Sequence, residues 1–106
     1  MFGRQVTLKL KANSATELKR IATDEIVPIL RKQKGFRDET TFISPERSEA
    51  VANSFWDTKA DAEAYGLTAY PEVLKTLSNV IDGTPTVKSF EFARSSYHQA
   101  AASRLI

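Results

Sequence analysis

His98 is the only side chain in this chain whose ordinary pKa lies close to neutrality, so it is the natural candidate for a catalytic base among the 106 residues. Its plainer reading is an exposed imidazole in a polar tail. Trp56 stands beside Phe55 at the end of an apolar run and could stack on an aromatic substrate; a place in the core or at a dimer interface explains it equally well. Asn53, three residues earlier, could hydrogen-bond a substrate oxygen or simply face water. Tyr65 and Tyr70 stand on either side of Gly66, where a helix interruption would let them line a cavity mouth, or else cap the core with their hydroxyls in solvent.

Other chemistries find no support. The chain has no cysteine and no glycine-flanked serine, which removes thiol and serine-elbow nucleophiles together with thiolate metal sites. A single histidine cannot build an all-protein zinc site, and four scattered glycines make no phosphate loop. The neighbouring acids Asp38 and Glu39 alternate faces on a strand, so they cannot converge on one bond.

Composition narrows the class. Hydrophobic residues make up 42% and charged residues 26%, close to globular averages, which argues against disorder. No run approaches the ~20 apolar residues of a membrane span, and Met1–Val6 passes directly into alternation without the apolar stretch of a leader, so a cytoplasmic protein with no membrane partner is expected. Net charge is +2, but the basic residues are scattered. Their densest group, Arg31-Lys32-Gln33-Lys34, falls at a helix end where cations offset the dipole, so no nucleic-acid partner is expected.

The elements that must hold these side chains follow from periodicity. Arg4 to Lys11 alternates, with Val6, Leu8 and Leu10 on one face, and reads as a half-buried strand. Ser14 and Glu17 have capping-box spacing, and Leu18, Ile21, Ala22, Ile26 and Ile29 then form one helical stripe. Pro28 predicts a kink before the last turn, and Gly35 a stop. Phe36–Ile43 and Glu49–Trp56 read as a hairpin joined by Ser44-Pro45-Glu46-Arg47. Thr58 and Asp61 begin a second helical region, which Gly66 is expected to interrupt. From Tyr70, with Pro71 in the first turn, Val73, Leu74, Leu77, Val80 and Ile81 form another buried stripe that closes at Asp82-Gly83. Thr84–Ala93 is the last strand, with Phe90 and Phe92 on one face, and Arg94–Ile106 is a polar tail.

The order is βαββαβ: an α+β, ferredoxin-like domain with one antiparallel sheet and its helices on a single face. The length suits a single domain over 1–106. The opposite sheet face would carry Phe36 or Ile43, Val51 or Trp56, and Phe90, depending on register. An uncovered apolar face of that kind implies a partner copy.

Over residues 4–98 the chain resembles the antibiotic biosynthesis monooxygenase-like (ABM) domains of the dimeric α+β barrel superfamily. Ile26-Val27-Pro28-Ile29-Leu30-Arg31-Lys32-Gln33-Lys34-Gly35-Phe36 is similar to that family's passage from helix end to second strand. Ser54-Phe55-Trp56-Asp57-Thr58-Lys59-Ala60-Asp61-Ala62 is similar to its third strand running into a helix, and Ser95-Ser96-Tyr97-His98 to a tail in some members. The resemblance implies a homodimer, which the tail would help to stabilise, and a ligand cavity between sheet and helices. It also implies a monooxygenase that works without a cofactor on an aromatic or polyketide-like metabolite. Asn53, Trp56, Tyr65 and Tyr70, singled out by residue type and not by a family motif, would then hold the substrate, with His98 as base. The alternative is a non-catalytic dimeric protein that binds a small ligand. Haem-degrading relatives use an asparagine on the first strand and a histidine in the second helical region; Gln5–Leu10 and Ala60–Ile81 contain neither, so haem is disfavoured.

Overall fold

The computed structural model describes residues 1–93. Strand β1 (Phe2–Leu10) leads through helix α1 (Ala15–Ile21), a π-helical turn (Ala22–Ile26) and helix α2 (Val27–Arg31) to strand β2 (Phe36–Ser44). After a 3₁₀ turn come strand β3 (Glu49–Trp56), helices α3 (Lys59–Thr68) and α4 (Tyr70–Leu77), and strand β4 (Ile81–Glu91). The sheet order is β2-β3-β1-β4, antiparallel throughout, with the helices on one face. This is the expected ferredoxin-like fold.

Register decides which side chains meet the helices. Val6 pairs with Ala52 and Leu8 with Ala50, while Thr41 and Ile43 of β2 pair with the same two alanines. These small residues make a shallow floor, over which Leu18, Ile21, Leu30, Tyr65, Val73 and Leu77 bury their side chains. A bulge at Arg37 shifts the β2 register between Phe36 and Asp38. Phe36 and Ile43 therefore both face the helices despite their opposite parity, and Trp56 joins them. Val51 and Phe90 remain on the open face, joined by Phe42 and Phe55, with Phe42 64% and Phe90 51% exposed.

Several local expectations are corrected. Ser14 makes no capping hydrogen bond; Glu17 pairs instead with Arg20 at 2.5 Å, so the guanidinium has taken the carboxylate that a capping box would use. The Thr58 cap does form, its hydroxyl oxygen accepting from the Asp61 N–H at 3.1 Å. Pro28 acts one turn earlier than a simple kink: it cannot donate to the preceding turn, and the chain widens into the π-helical turn just before it. Gly66 does not interrupt α3. The break falls at Ala69, because Pro71 has no N–H to continue the ladder.

The stripe from Tyr70 also ends sooner than its periodicity suggests. Helix α4 stops at Leu77, Val80 is buried in the turn, and Ile81 opens β4 opposite Leu10. Asp82-Gly83 is therefore not a helix terminus: Gly83, at φ +70°, sits within β4 near a register irregularity facing Thr7–Lys9. Pro85 is tolerated because β4 is an edge strand with free N–H positions. At the end of α2, Gly35 takes φ +79°, where an added Cβ would collide with Asp61.

Candidate functional site

The alternation that makes β1 amphipathic also puts Arg4 on the apolar face, in line with Val6, Leu8 and Leu10. Arg4 pairs with Ser54 on β3, and Ser54 pairs on its other side with Glu39 of β2. One row across the helix-facing side of the sheet thus reads Glu39, Ser54, Arg4 amid apolar neighbours. With strands ~4.8 Å apart, the outer two backbones stand ~10 Å from each other, a span that two long side chains can share with a small polar group.

Above this row lies a recess of about 60 Å³, lined by Arg4, Glu39, Ser54, Tyr65 and Tyr70 together with aliphatic side chains such as Val6, Leu18 and Leu77. It adjoins an outer cleft of about 370 Å³ between α1, the π-helical turn and β2; Ala22, Glu39 and Thr41 belong to both walls. The recess has room for a few waters, whereas the cleft is of small-ligand size. Extra width in the π-helical turn contributes to the cleft directly, since Ala22 and Thr23 line it.

The aromatic residues make a ladder that ends at Arg4. Phe36 meets Trp56 edge-on at 5.6 Å, Trp56 stacks on Tyr65 at 5.0 Å, and Tyr65 tilts against Tyr70 at 6.0 Å. The Arg4 guanidinium carbon lies 4.0 Å from the Tyr70 ring centre and 5.2 Å from that of Tyr65. Burial pushes the Tyr65 hydroxyl up to about 12, only partly opposed by the charge on Arg4, while Tyr70 and Glu39 add to the rise. Burial likewise raises Tyr70 against the opposition of Arg4. Both phenols therefore stay protonated at neutral pH. Glu39 is held above the usual carboxylate range by burial, with the negative charge of Asp38 adding to the effect and a hydrogen bond from Thr41 Oγ1 opposing it.

The anticipated site residues are thus divided. Tyr65 and Tyr70 do line the recess. Trp56 is completely buried behind Tyr65, its indole N–H donating to Ser54 Oγ at 2.9 Å, so it backs the site without lining it. Asn53 faces the opposite side of the sheet, where its side-chain oxygen accepts from Gln5 Nε2 at 3.1 Å. It shares no cavity with the tyrosines, because neighbouring strand residues point to opposite faces. His98 lies outside the described residues, as does the rest of the tail. Arg4, Glu39 and Ser54 were missed, although the signal was present: Arg4 shares parity with the apolar residues of β1, and Ser54 with Ala50, Ala52 and Trp56. A polar residue on a core-facing parity asks for an explanation. Among the described residues no three His, Asp or Glu side chains gather as metal ligands would, and no helix is long and apolar enough to cross a membrane.

No protein-family model matches this sequence, and no curated protein is similar to it at a significant level. Solved structures do match. The monooxygenase from the gene ActVA-Orf6 of Streptomyces coelicolor, determined with the ligand nanaomycin D, superposes with a TM-score of 0.74 at 18% identity, covering 89% of this chain and 88% of that one. SnoaB, a cofactor-independent oxygenase from Streptomyces nogalater, gives 0.69 at 13% identity over 90% of this chain and 95% of its own. A protein of unknown function from Nitrosomonas europaea gives 0.73 at 12% identity over 90% and 91%. At such identities the likeness is one of architecture, and the chain has the fold of structures named as antibiotic biosynthesis monooxygenases, as its helix-end and third-strand segments suggested.

Proposed function

We propose that the protein is a cofactor-independent monooxygenase acting on a phenolic, polyketide-like aromatic compound. The observation that carries this reading is the position of Glu39, a part-buried carboxylate with a raised pKa in the wall shared by cleft and recess. The aromatic body of the substrate occupies the cleft, and its hydroxyl enters the recess between Glu39 and the tyrosines. Burial makes Glu39 a stronger base than an exposed carboxylate, and it takes the hydroxyl proton. The resulting phenolate gives one electron to dioxygen, and the radical and superoxide combine into a carbon–oxygen bond. Return of the proton from Glu39 and loss of the ring hydrogen release water and leave a quinone. One oxygen atom ends in the product and the other in water, so a phenol and O₂ become a quinone and H₂O without an external reductant. The similarity to the ActVA-Orf6 and SnoaB structures supports the reaction class.

The test is oxygen uptake with a panel of naphthols and anthrone-like phenols, comparing the wild type with Glu39→Gln. Uptake matched by quinone formation, and at least about tenfold slower in the variant, is expected for removal of a general base. A phenol that binds without any oxygen being consumed would overturn the reading. The alternative, a non-catalytic ligand-binding protein, draws on the small volume of the recess, about 60 Å³, and predicts that outcome.

The same reading includes a homodimer. Exposed Phe42 and Phe90, with Phe55 packed edge-on against Phe92 at 5.8 Å, give the open sheet face an apolar character that a second copy would cover. It also has the enzyme at work in the cytoplasm. His98 keeps its place as a second candidate base, to be tested by His98→Ala in the same assay.

A further inference from the structure

Arg4 is 8% exposed. The ion pairs of the described residues involve Arg20, Arg37 and Lys59, and none involves Arg4. Residues 94–106 contain neither Asp nor Glu. Burying a guanidinium costs several kcal/mol unless something compensates it; the rings of Tyr65 and Tyr70 and a side-chain hydrogen bond with Tyr70 offset part of that cost, and a guanidinium has five N–H donors to satisfy. Rings contact the flat faces of a guanidinium. Its N–H donors lie in the plane, at the edge, where an oxyanion is received.

The setting is built for such an arrangement. Helix α3 presents Gly66 to the guanidinium, where a Cβ would stand 3.6 Å from Nη2, in ordinary van der Waals contact. Tyr65, Tyr70 and the aliphatic walls supply a dry surround, in which a charge-assisted bond is stronger than in water. The charged and titratable groups of the two cavities are Arg4, Glu39, Tyr65 and Tyr70, with Lys19 in the outer cleft.

We propose that Arg4 is an oxyanion-binding residue, and that the recess selects aromatic ligands carrying an anionic oxygen, a phenolate or a carboxylate, over neutral aromatics of the same shape. The inference rests on the reading of this cavity as the ligand site and specifies the chemistry that the site accepts. The ligand's oxyanion meets the edge of the guanidinium, its ring extends past Glu39 into the cleft, and Lys19 favours the approach of negative charge. Arg4 thereby makes phenol ionisation part of binding.

The experiment is run without oxygen on the intact protein. 4-Nitrophenol reports its own ionisation by visible absorbance, and 2-naphthoate is compared with 2-naphthamide by calorimetry. Bound 4-nitrophenol is expected to be more ionised than free 4-nitrophenol at the same pH. 2-Naphthoate is expected to bind about tenfold or more tightly than the amide, as one charge-assisted hydrogen bond allows. A preference for both anions, or for only one, supports the proposal, the latter assigning the natural ligand to phenolates or to carboxylates. Equal or tighter binding of the neutral compounds by the wild type would overturn it, with no variant needed. Arg4→Met should abolish the preference while Arg4→Lys retains part of it, and a folded Arg4→Met protein with the full preference would also overturn it. Because no oxygen is involved, a charge preference in a protein that never consumes oxygen ends the oxygenase reading alone. Oxygen uptake without any charge preference ends this one alone.

Discussion

Replacing Trp56 with Phe separates a core residue from a ligand platform. Trp56 is 0% exposed, stacks on Tyr65 at 5.0 Å, and donates its indole N–H to Ser54 Oγ at 2.9 Å. Phenylalanine keeps one ring in contact with Tyr65 and loses the rest. The lost hydrogen bond is worth about 1 kcal/mol, and Ser54 keeps only a long 3.5 Å contact to the Arg4 carbonyl. The missing pyrrole portion removes the equivalent of one or two buried methylenes, roughly another 1–1.5 kcal/mol before any relaxation of the void. The total, about 2 kcal/mol, is a large share of the stability of a small domain and corresponds to a fall in Tm of roughly 8–16 °C. Trp56 is the only tryptophan, so its fluorescence disappears with it and unfolding must be followed by far-ultraviolet circular dichroism. Below its melting range, the variant should bind the naphthoate probe with a Kd within about threefold of the wild type, less than 1 kcal/mol. An unchanged Tm together with lost binding would refute the argument and restore Trp56 as a ligand-stacking residue.

Gly35→Ala forces an L-residue to φ +79° and drives its Cβ into the Asp61 side chain, so the start of α3 must move; a loss of at least about 2 kcal/mol in urea unfolding is expected, and a neutral result would contradict the close approach. Glu39 titrates above its unfolded value, so the folded state holds its proton more tightly: the cost of ionising it is absent below the unfolded pKa, near 4.3, and grows as pH rises through the folded pKa. Glu39→Gln should therefore raise the urea midpoint at pH ~7 and give no gain at pH ~4, and an equal gain at both would remove burial as the cause. Phe42→Glu puts a charge on the open sheet face, where Phe42 is 64% exposed; light scattering at micromolar concentration should show dimeric wild type and monomeric variant with unchanged circular dichroism. A wild type that is already monomeric would discard the dimer.

The order of elements, the amphipathic first strand, the Thr58 cap and the hairpin were all legible along the chain, because each rests on contacts within a few residues of sequence. Local periodicity also held enough to single out Arg4, since a charged residue in step with Val6, Leu8 and Leu10 must meet the core. Periodicity cannot count a bulge. The extra residue at Arg37 turned Phe36 onto the helix-facing side with Ile43, and the hairpin register then set Glu39 across from Ser54. Nor could it tell that a helical stripe ends at Leu77 while Val80 and Ile81 stay buried, because a turn and a strand end can fill the same core as one more helical turn. Asn53 and Trp56 are three residues apart on one strand and looked like partners; the pleat sends them to opposite faces, one toward Gln5 and the other behind Tyr65. The site itself belongs to the tertiary structure. Arg4, Glu39 and Ser54 come from three strands, Tyr65 and Tyr70 from two helices, and only the packing of helices on sheet brings a cation, a carboxylate and two phenols to one recess. Sequence specifies which face each side chain takes within its own element, whereas cross-strand register and helix placement, set by side-chain volume and the bulge, decide which of them meet.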